Sequence, residues 1–272
     1  MIDPELHRMI KSWQLPEEGP LQQRINRMIE LALARGFFGT SSTLIVSGLQ
    51  YHLGGEEDTE ELARLASVAP DDRVLDVCCF LGGPQIQLVE SFGCEAVGVD
   101  VSERRIVAAS KIAELSGFDS CLHFFVADAA HLPFGDRQFT VLWSQCSLKH
   151  DETWLREFDR VLAPAGRLAL TFAIRKNNPD EGSPKWELSD VVEHLHLLGY
   201  RVTHAEDISE RDIEIGWKAL DRRLLKEKER FKAALGEDWV HRAHREFIGE
   251  IAKMRRGQLG NGRIIARKET DS

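Results

Sequence analysis

Apolar positions along the chain change at Arg73 from a helical spacing to short, β-branched runs. Through residues 4–35 the pattern predicts two helices, with Leu21, Ile25, Met28, Ile29, Leu31 and Leu33 on one broad face. A further helix is expected where Thr59 stands as N-cap before Glu60-Glu61-Leu62-Ala63-Arg64-Leu65-Ala66 and Pro70 bars continuation. From Arg73 strands are predicted at 73–78, 95–100, 122–127, 139–145 and 167–174. Helices at 84–92, 103–116 and 151–161 fall between them, the last closed by the stop signal Ala163-Pro164-Ala165-Gly166. Helix 186–199 leads to a strand near 200–205. Residues 209–256 read as a charged, solvated helical pair over the sheet's ligand edge, and Gly262 to Lys268 as a last strand. This alternation calls for an α/β fold: a seven-stranded, mostly parallel sheet with helices on both faces, N-terminal helices, and a C-terminal helical insertion before the last strand.

No internal repeat or low-complexity linker divides the chain, so 1–272 is expected to be one domain. Within it, 1–70 is a helical lid, 71–208 the α/β core, 209–258 a helical cap, and 259–272 the last strand and tail. Composition narrows the functions available. The 272 residues are 43% apolar and carry a net charge of −9. That balance disfavours nucleic acid, whose phosphates require a cationic surface. Five cysteines form no C-x-x-C pair, so neither a zinc site nor a disulfide framework is expected, and a reducing cytoplasm fits best. Met1-Ile2-Asp3-Pro4-Glu5 lacks the features of a secretory leader, and no apolar run approaches membrane-spanning length. No membrane association is expected; a homodimer is compatible with all of this.

In an open α/β sheet, ligands sit beyond the carboxyl ends of the strands. Four predicted ends carry polar groups: Asp76, Asp100, Asp128 after the third strand, and Ser144-Gln145. The stretch Arg73-Val74-Leu75-Asp76-Val77-Cys78-Cys79-Phe80-Leu81-Gly82-Gly83-Pro84 reads as strand, tight loop and helix start, which offers backbone N–H groups to a ligand. Asp100, 18 residues after Gly82, can accept both hydroxyls of a ribose. The plainer alternative is a carboxylate capping the next helix through Ser102. Asp128 with Ala129 can recognise the amino edge of adenine, or form only an Asx-turn. Three acids at successive strand ends favour a nucleoside ligand.

The ordered set of Val74-Leu75-Asp76-Val77, Gly82-Gly83-Pro84, Val97-Gly98-Val99-Asp100, Asp128-Ala129 before Leu132-Pro133-Phe134, Phe139 to Gln145, and Arg160 to Leu168 resembles the class I S-adenosylmethionine-dependent methyltransferases. The resemblance covers residues 50–175. Gly82-Gly83-Pro84 and Ser144 to His150 are similar to the branch that includes sarcosine/dimethylglycine methyltransferases. It implies a Rossmann-like sheet, S-adenosyl-L-methionine as cofactor with S-adenosyl-L-homocysteine as product, and a small-molecule acceptor. By resemblance, Asp76, Cys78 and the loop through Gly82 hold the methionine part, Asp100 binds the ribose, and Val101 lies against the adenine. Asp128 and Ala129 recognise the adenine amino group, and Ser144 and Gln145 border the sulfonium and the acceptor. His150 matches the branch's histidine and is the catalytic candidate, with a helix-entry histidine that only packs as the alternative.

One departure bears on the cofactor. The family's acidic-x-Gly-x-Gly-x-Gly is here Asp76-x-Cys78-x-Phe80-x-Gly82. Either the loop uses ordinary backbone angles, with Leu81-Gly82-Gly83 taking the turn, or the pocket is altered. The Cys78-Cys79 pair reads as packing; a redox role would require a depressed thiol pKa. Among other candidates, Trp186 and Trp217 could wall an acceptor pocket, His52 is a weaker pocket candidate, and His241-x-x-His244 lacks a third metal ligand, so no metal is expected. Two other classes stay open: a nicotinamide-dependent oxidoreductase, and a non-catalytic member that binds a nucleoside or a partner.

Overall fold

The computed structural model describes residues 4–14, 20, 23–25, 27–29, 42–149 and 151–269. Helix α1 (Pro4–Lys11) opens the chain, followed by α2 (Ser42–Ser47) and α3 (Gly55–Leu65). The described residues of 23–29 are helical too, and Ile25, Met28 and Ile29 are buried as the pattern predicts. Leu21, Leu31 and Leu33 lie outside the described residues. The core then runs β1 (Arg73–Val77), α4 (Gly83–Phe92), β2 (Glu95–Asp100), α5 (Glu103–Ser116), β3 (Leu122–Val126), β4 (Phe139–Gln145), α6 (Glu152–Val161), β5 (Leu162–Arg175), α7 (Leu188–Leu197) and β6 (Tyr200–Asp207). A short helical turn, Ser209–Arg211, passes into a π-helical turn, Asp212–Trp217. Helices α8 (Lys218–Lys226), α9 (Lys228–Leu235) and α10 (Glu237–Arg255) follow, then β7 (Leu259–Lys268).

The seven strands are ordered β3-β2-β1-β4-β5-β7-β6, with β7 antiparallel to both neighbours and the other pairs parallel. Period-two alternation sorts each strand's side chains between two cores. Val74, Ala96, Val141, Ala169 and Ile265 face the layer of α4, α5, the N-terminal helices and the C-terminal helices. Leu75, Val97, Leu142, Leu168 and Ile264 face the layer of α6 and α7. Strands buried on both faces explain why the sequence reads as continuous apolar runs.

Three expectations need correction. Thr59 is not an N-cap: α3 starts four residues earlier, after Gly54 with φ 82°, and Thr59 is buried within it. The segment Ala163-Pro164-Ala165-Gly166 does not separate helix from strand, because α6 ends at Val161 and β5 begins at Leu162, paired with Phe139. Residues 209–256 are not a solvated pair. They form the π-turn and three helices, and Leu220, Leu224, Phe231, Trp239, Val240, Ala243 and Phe247 join the core that also holds Ile25, Ile45 and Leu62.

A buried charge cluster fastens these layers together. Arg263, fully buried in β7, donates to Asp58 Oδ1 at 2.6 Å and lies 3.0 Å from Glu61 Oε1. Arg211 donates to the same Asp58 oxygen at 2.6 Å and pairs with Glu61 at 2.5 Å. Helix α3, β7 and the turn after β6 thus share one set of charges. Removing one member of a buried pair leaves its partner uncompensated. Arg263→Met is expected to lower unfolding free energy by about 3 kcal/mol, read as a fall in the urea midpoint.

Candidate active site

Asp76 at the end of β1 and Asp100 at the end of β2 are both buried. Burial, and then the neighbouring Asp100 carboxylate, push the Asp76 carboxyl well above the usual carboxylate range. The loop leaving β1 places Cys78 at φ 65°, Phe80 at φ 53° and Gly82 at φ 83°. The loop therefore does not use ordinary angles: all three positions where the family has glycine are left-handed, although two carry side chains. Non-glycine residues in that region cost about 1–2 kcal/mol each. Cys79 N–H donates to Val99 O at 2.9 Å and Gly82 N–H to Cys79 O at 2.9 Å, which hold the loop against β2. At Gly83 a Cβ would stand 2.3 Å from the Leu49 carbonyl oxygen, so glycine lets the lid approach the start of α4. Although Cys78 is exposed at the surface of the loop, desolvation of its sulfur and then the Asp100 and Asp76 carboxylates raise its thiol pKa, and burial pushes Cys79 up as well. That is opposite to the depressed pKa a redox-sensing thiol requires.

Asp100 accepts from Ser102 N–H at 2.8 Å, Phe80 N–H at 3.3 Å and Arg105 at 3.3 Å. The Phe80 ring lies between Tyr51, centroids 4.9 Å apart, and the Arg105 guanidinium, 5.2 Å from its centroid. The space beside Asp76, Cys78 and Phe80 is a cavity of only about 20 Å³. Next to Asp100, Val101 is 71% exposed and offers an open apolar face. Ala127 N–H donates to Asp100 O at 3.1 Å, which sets the following Asp128 beside the end of β2. Asp128 is exposed and accepts from Ala130 N–H at 2.9 Å, an Asx-turn, while Ala129 is buried. Asp76 and Asp100 are thus brought together, and Asp128 sits on the rim.

On the β4 side, Ser144 is buried and its hydroxyl lies 2.8 Å from that of Ser147. Gln145 accepts from Trp143 Nε1 at 3.0 Å and Thr59 Oγ1 at 3.2 Å, and donates to Asp58 Oδ2 at 3.0 Å. It therefore connects the site to the buried charge cluster. His52 has Nδ1 3.0 Å from Leu53 O, and Nε2 2.9 Å from Gln50 Oε1 and 3.0 Å from Thr59 Oγ1. Burial lowers its pKa despite the Asp58 carboxylate. His150 lies outside the described residues.

Beyond Tyr51 and His52 opens a second cavity of about 340 Å³, walled by Leu53 and Trp217 and floored by Ala173 and Leu259. Trp186 instead stacks on His194 at 4.7 Å, and His244 lies 2.6 Å from Asp221. Asp212, which begins the π-turn, is buried, and its Oδ2 accepts from Asn261 Nδ2 at 2.6 Å. Desolvation raises its pKa to about 7. Sequence reasoning missed Gln50, Asp58, Thr59, Arg211, Asp212, Asn261 and Arg263. Asn261 and Arg263 could have been flagged as polar residues within a strand whose continuation, Ile264-Ile265-Ala266, is wholly apolar.

The strand order β3-β2-β1-β4-β5-β7-β6 with β7 reversed is a Rossmann-like, methyltransferase-type fold. Residues 74–166 match the family model for a methyltransferase domain. It is 33% identical to methyltransferase GfsG of Streptomyces halstedii over 47% of this chain and 47% of that protein. It is 27% identical to phosphoethanolamine N-methyltransferase 3 of Arabidopsis thaliana over 79% of this chain and 46% of that one. The chain thus spans about half the length of these curated relatives. Phosphoethanolamine N-methyltransferase 2 of Haemonchus contortus, solved with S-adenosyl-L-methionine, superposes with a TM-score of 0.78 at 18% identity, covering 93% of this chain and 61% of that one. A Galdieria sulphuraria protein assigned as a sarcosine dimethylglycine methyltransferase gives 0.68 at 18%, covering 79% and 86%. Relatives named as N- and O-methyltransferases both occur among the matches.

Asp212 sets a pH dependence. Its pKa of about 7 lies above the ordinary value of 3.8, so the folded state binds the extra proton. The stability it contributes is full below about 4 and is lost as pH rises through about 7. Urea titrations of wild type and Asp212→Asn should diverge across that window, with wild type losing stability relative to the variant as pH increases.

Proposed function

We propose that this protein transfers the methyl group of S-adenosyl-L-methionine to a small-molecule acceptor, with nitrogen favoured over carbon or oxygen. The observation that carries the reading is the buried Asp76–Asp100 pair beneath a loop whose positions 78, 80 and 82 are all left-handed, at the start of α4. The residues present fit the adenosyl group. Asp100 is a strand-end carboxylate for the ribose hydroxyls, the exposed face of Val101 suits the adenine ring, and Asp128 with Ala129 suits its amino edge. Asp76, Cys78 and Gly82 would hold the methionine part, and Ser144 and Gln145 would border the sulfonium. Phe80, in contact with Tyr51 and Arg105, lines a space beside Asp76 of only about 20 Å³, so entry of the methionine part is expected to move its ring.

The bound cofactor would supply an electrophilic methyl group on sulfur. This chain's residues then have two tasks: to hold the acceptor in line and to exclude water. Fixing reactants in line contributes roughly 7–11 kcal/mol to such reactions. His150 is proposed to keep the acceptor atom in its reactive protonation state. The match to methyltransferases over residues 74–166 supports this reading over a nicotinamide-dependent oxidoreductase. We assign the protein to the cytoplasm, a reading supported by five free cysteines.

Calorimetry tests the assignment directly. S-adenosyl-L-methionine and its demethylated product are expected to bind at micromolar levels and NAD(P) not at all. The reverse result would establish the oxidoreductase reading, and binding of neither cofactor would leave a partner-binding member of the fold. Once an acceptor is in hand, His150→Ala should lower turnover far more than cofactor affinity; undiminished turnover would remove His150 from the mechanism.

A further inference from the structure

The larger cavity has an unusual charge balance. Its polar lining comes from Thr43, His52, Cys146, Glu250 and Asn261, and no Lys or Arg is among the described residues lining it. The guanidinium groups nearby, Arg211 and Arg263, are committed to Asp58 and Glu61. Glu250 is paired with Lys253 at 2.6 Å. Phosphate and carboxylate ligands are recognised by cationic forks or ammonium groups, which this wall does not offer. It is lined instead by the aromatic side chains Tyr51 and Trp217, the Glu250 carboxylate and hydrogen-bond acceptors, a combination suited to an ammonium group.

Asn261 is the most constrained of these acceptors. Its Nδ2 donates to Asp212 Oδ2 at 2.6 Å, and its backbone N–H is taken by Ser209 Oγ at 3.1 Å. Asp212 Oδ2 can accept this bond as a carboxylate or as the carbonyl oxygen of the protonated acid, so in either state the amide nitrogen faces Asp212 and the carbonyl oxygen is left for the cavity. Asp212 is 1% exposed, and its second oxygen, Oδ1, has no hydrogen-bond partner among the described residues. Its charge is felt at the Cys146 thiol on the same wall, and Asp58, Arg211 and Arg263 are the charged groups that face it. The π-turn that carries Asp212 also supplies Trp217 to the wall. Such turns concentrate at functional sites.

We infer that this cavity selects an amine carried on an apolar body and rejects phosphorylated compounds, with Asn261 reading the N–H donor and Asp212 as the positioning residue that orients it. The word acceptor for this amine rests on the proposed methyl transfer; the selectivity does not. The probes are 2-phenylethylamine and 2-phenylethyl phosphate, titrated calorimetrically into wild-type protein with and without S-adenosyl-L-homocysteine. The amine is expected to bind at least about tenfold more tightly than the phosphate. Asn261→Leu and Asp212→Leu should bring that ratio towards one, whereas Asp212→Asn, whose carbonyl can still accept from Asn261, should keep most of it. A purely structural role would weaken both probes alike and leave the ratio unchanged. Equal or tighter binding of the phosphate, no binding of either probe at millimolar concentration, or a ratio untouched by Asp212→Leu would overturn the inference. Failure of S-adenosyl-L-homocysteine to bind would count against methyl transfer alone.

Discussion

A guanidinium enclosed in the sheet has to be answered by carboxylates, and that requirement decides how the outer layers sit on the core. Arg263 has no water to turn to, and Asp58 and Glu61 come from a helix far away in sequence. Desolvating Arg263 and Asp58 costs several kcal/mol per ion, so a misplaced α3 would leave Arg263 with only the more distant Glu206, 3.7 Å away, to answer it. The same carboxylate, Asp58, takes Arg211 and the Gln145 amide. One acidic residue of α3 therefore links the end of β4, the reversed strand and the turn after β6.

The loop after β1 illustrates a different kind of constraint. The backbone path through residues 78, 80 and 82 is kept although the residues that make such a path inexpensive are absent at two of the three positions. Strain of this size persists only where surrounding contacts over-determine the conformation. Here those contacts are the bonds from Cys79 and Phe80 N–H to Val99 and Asp100, and the Phe80 ring held between Tyr51 and Arg105.

Much of the sheet was legible in the sequence because strands buried on two faces write themselves as apolar runs ended by polar residues; β2, β4 and α5 match their expected limits. The start of α3 was not, since Thr59 is a good capping residue and its burial in a polar network is a tertiary fact. Of the two readings of the loop, ordinary backbone angles fail because glycine preference describes energetic cost, and tertiary contacts can override it. Of the site, the strand-end carboxylates were readable from position alone. Asp58 and Asp212 were not, because each is polar for the sake of a partner dozens of residues distant.

Tyr51 and His52 line both the small cavity at Asp76 and the larger one beyond it. A shift of either side chain therefore changes the shape of both cavities.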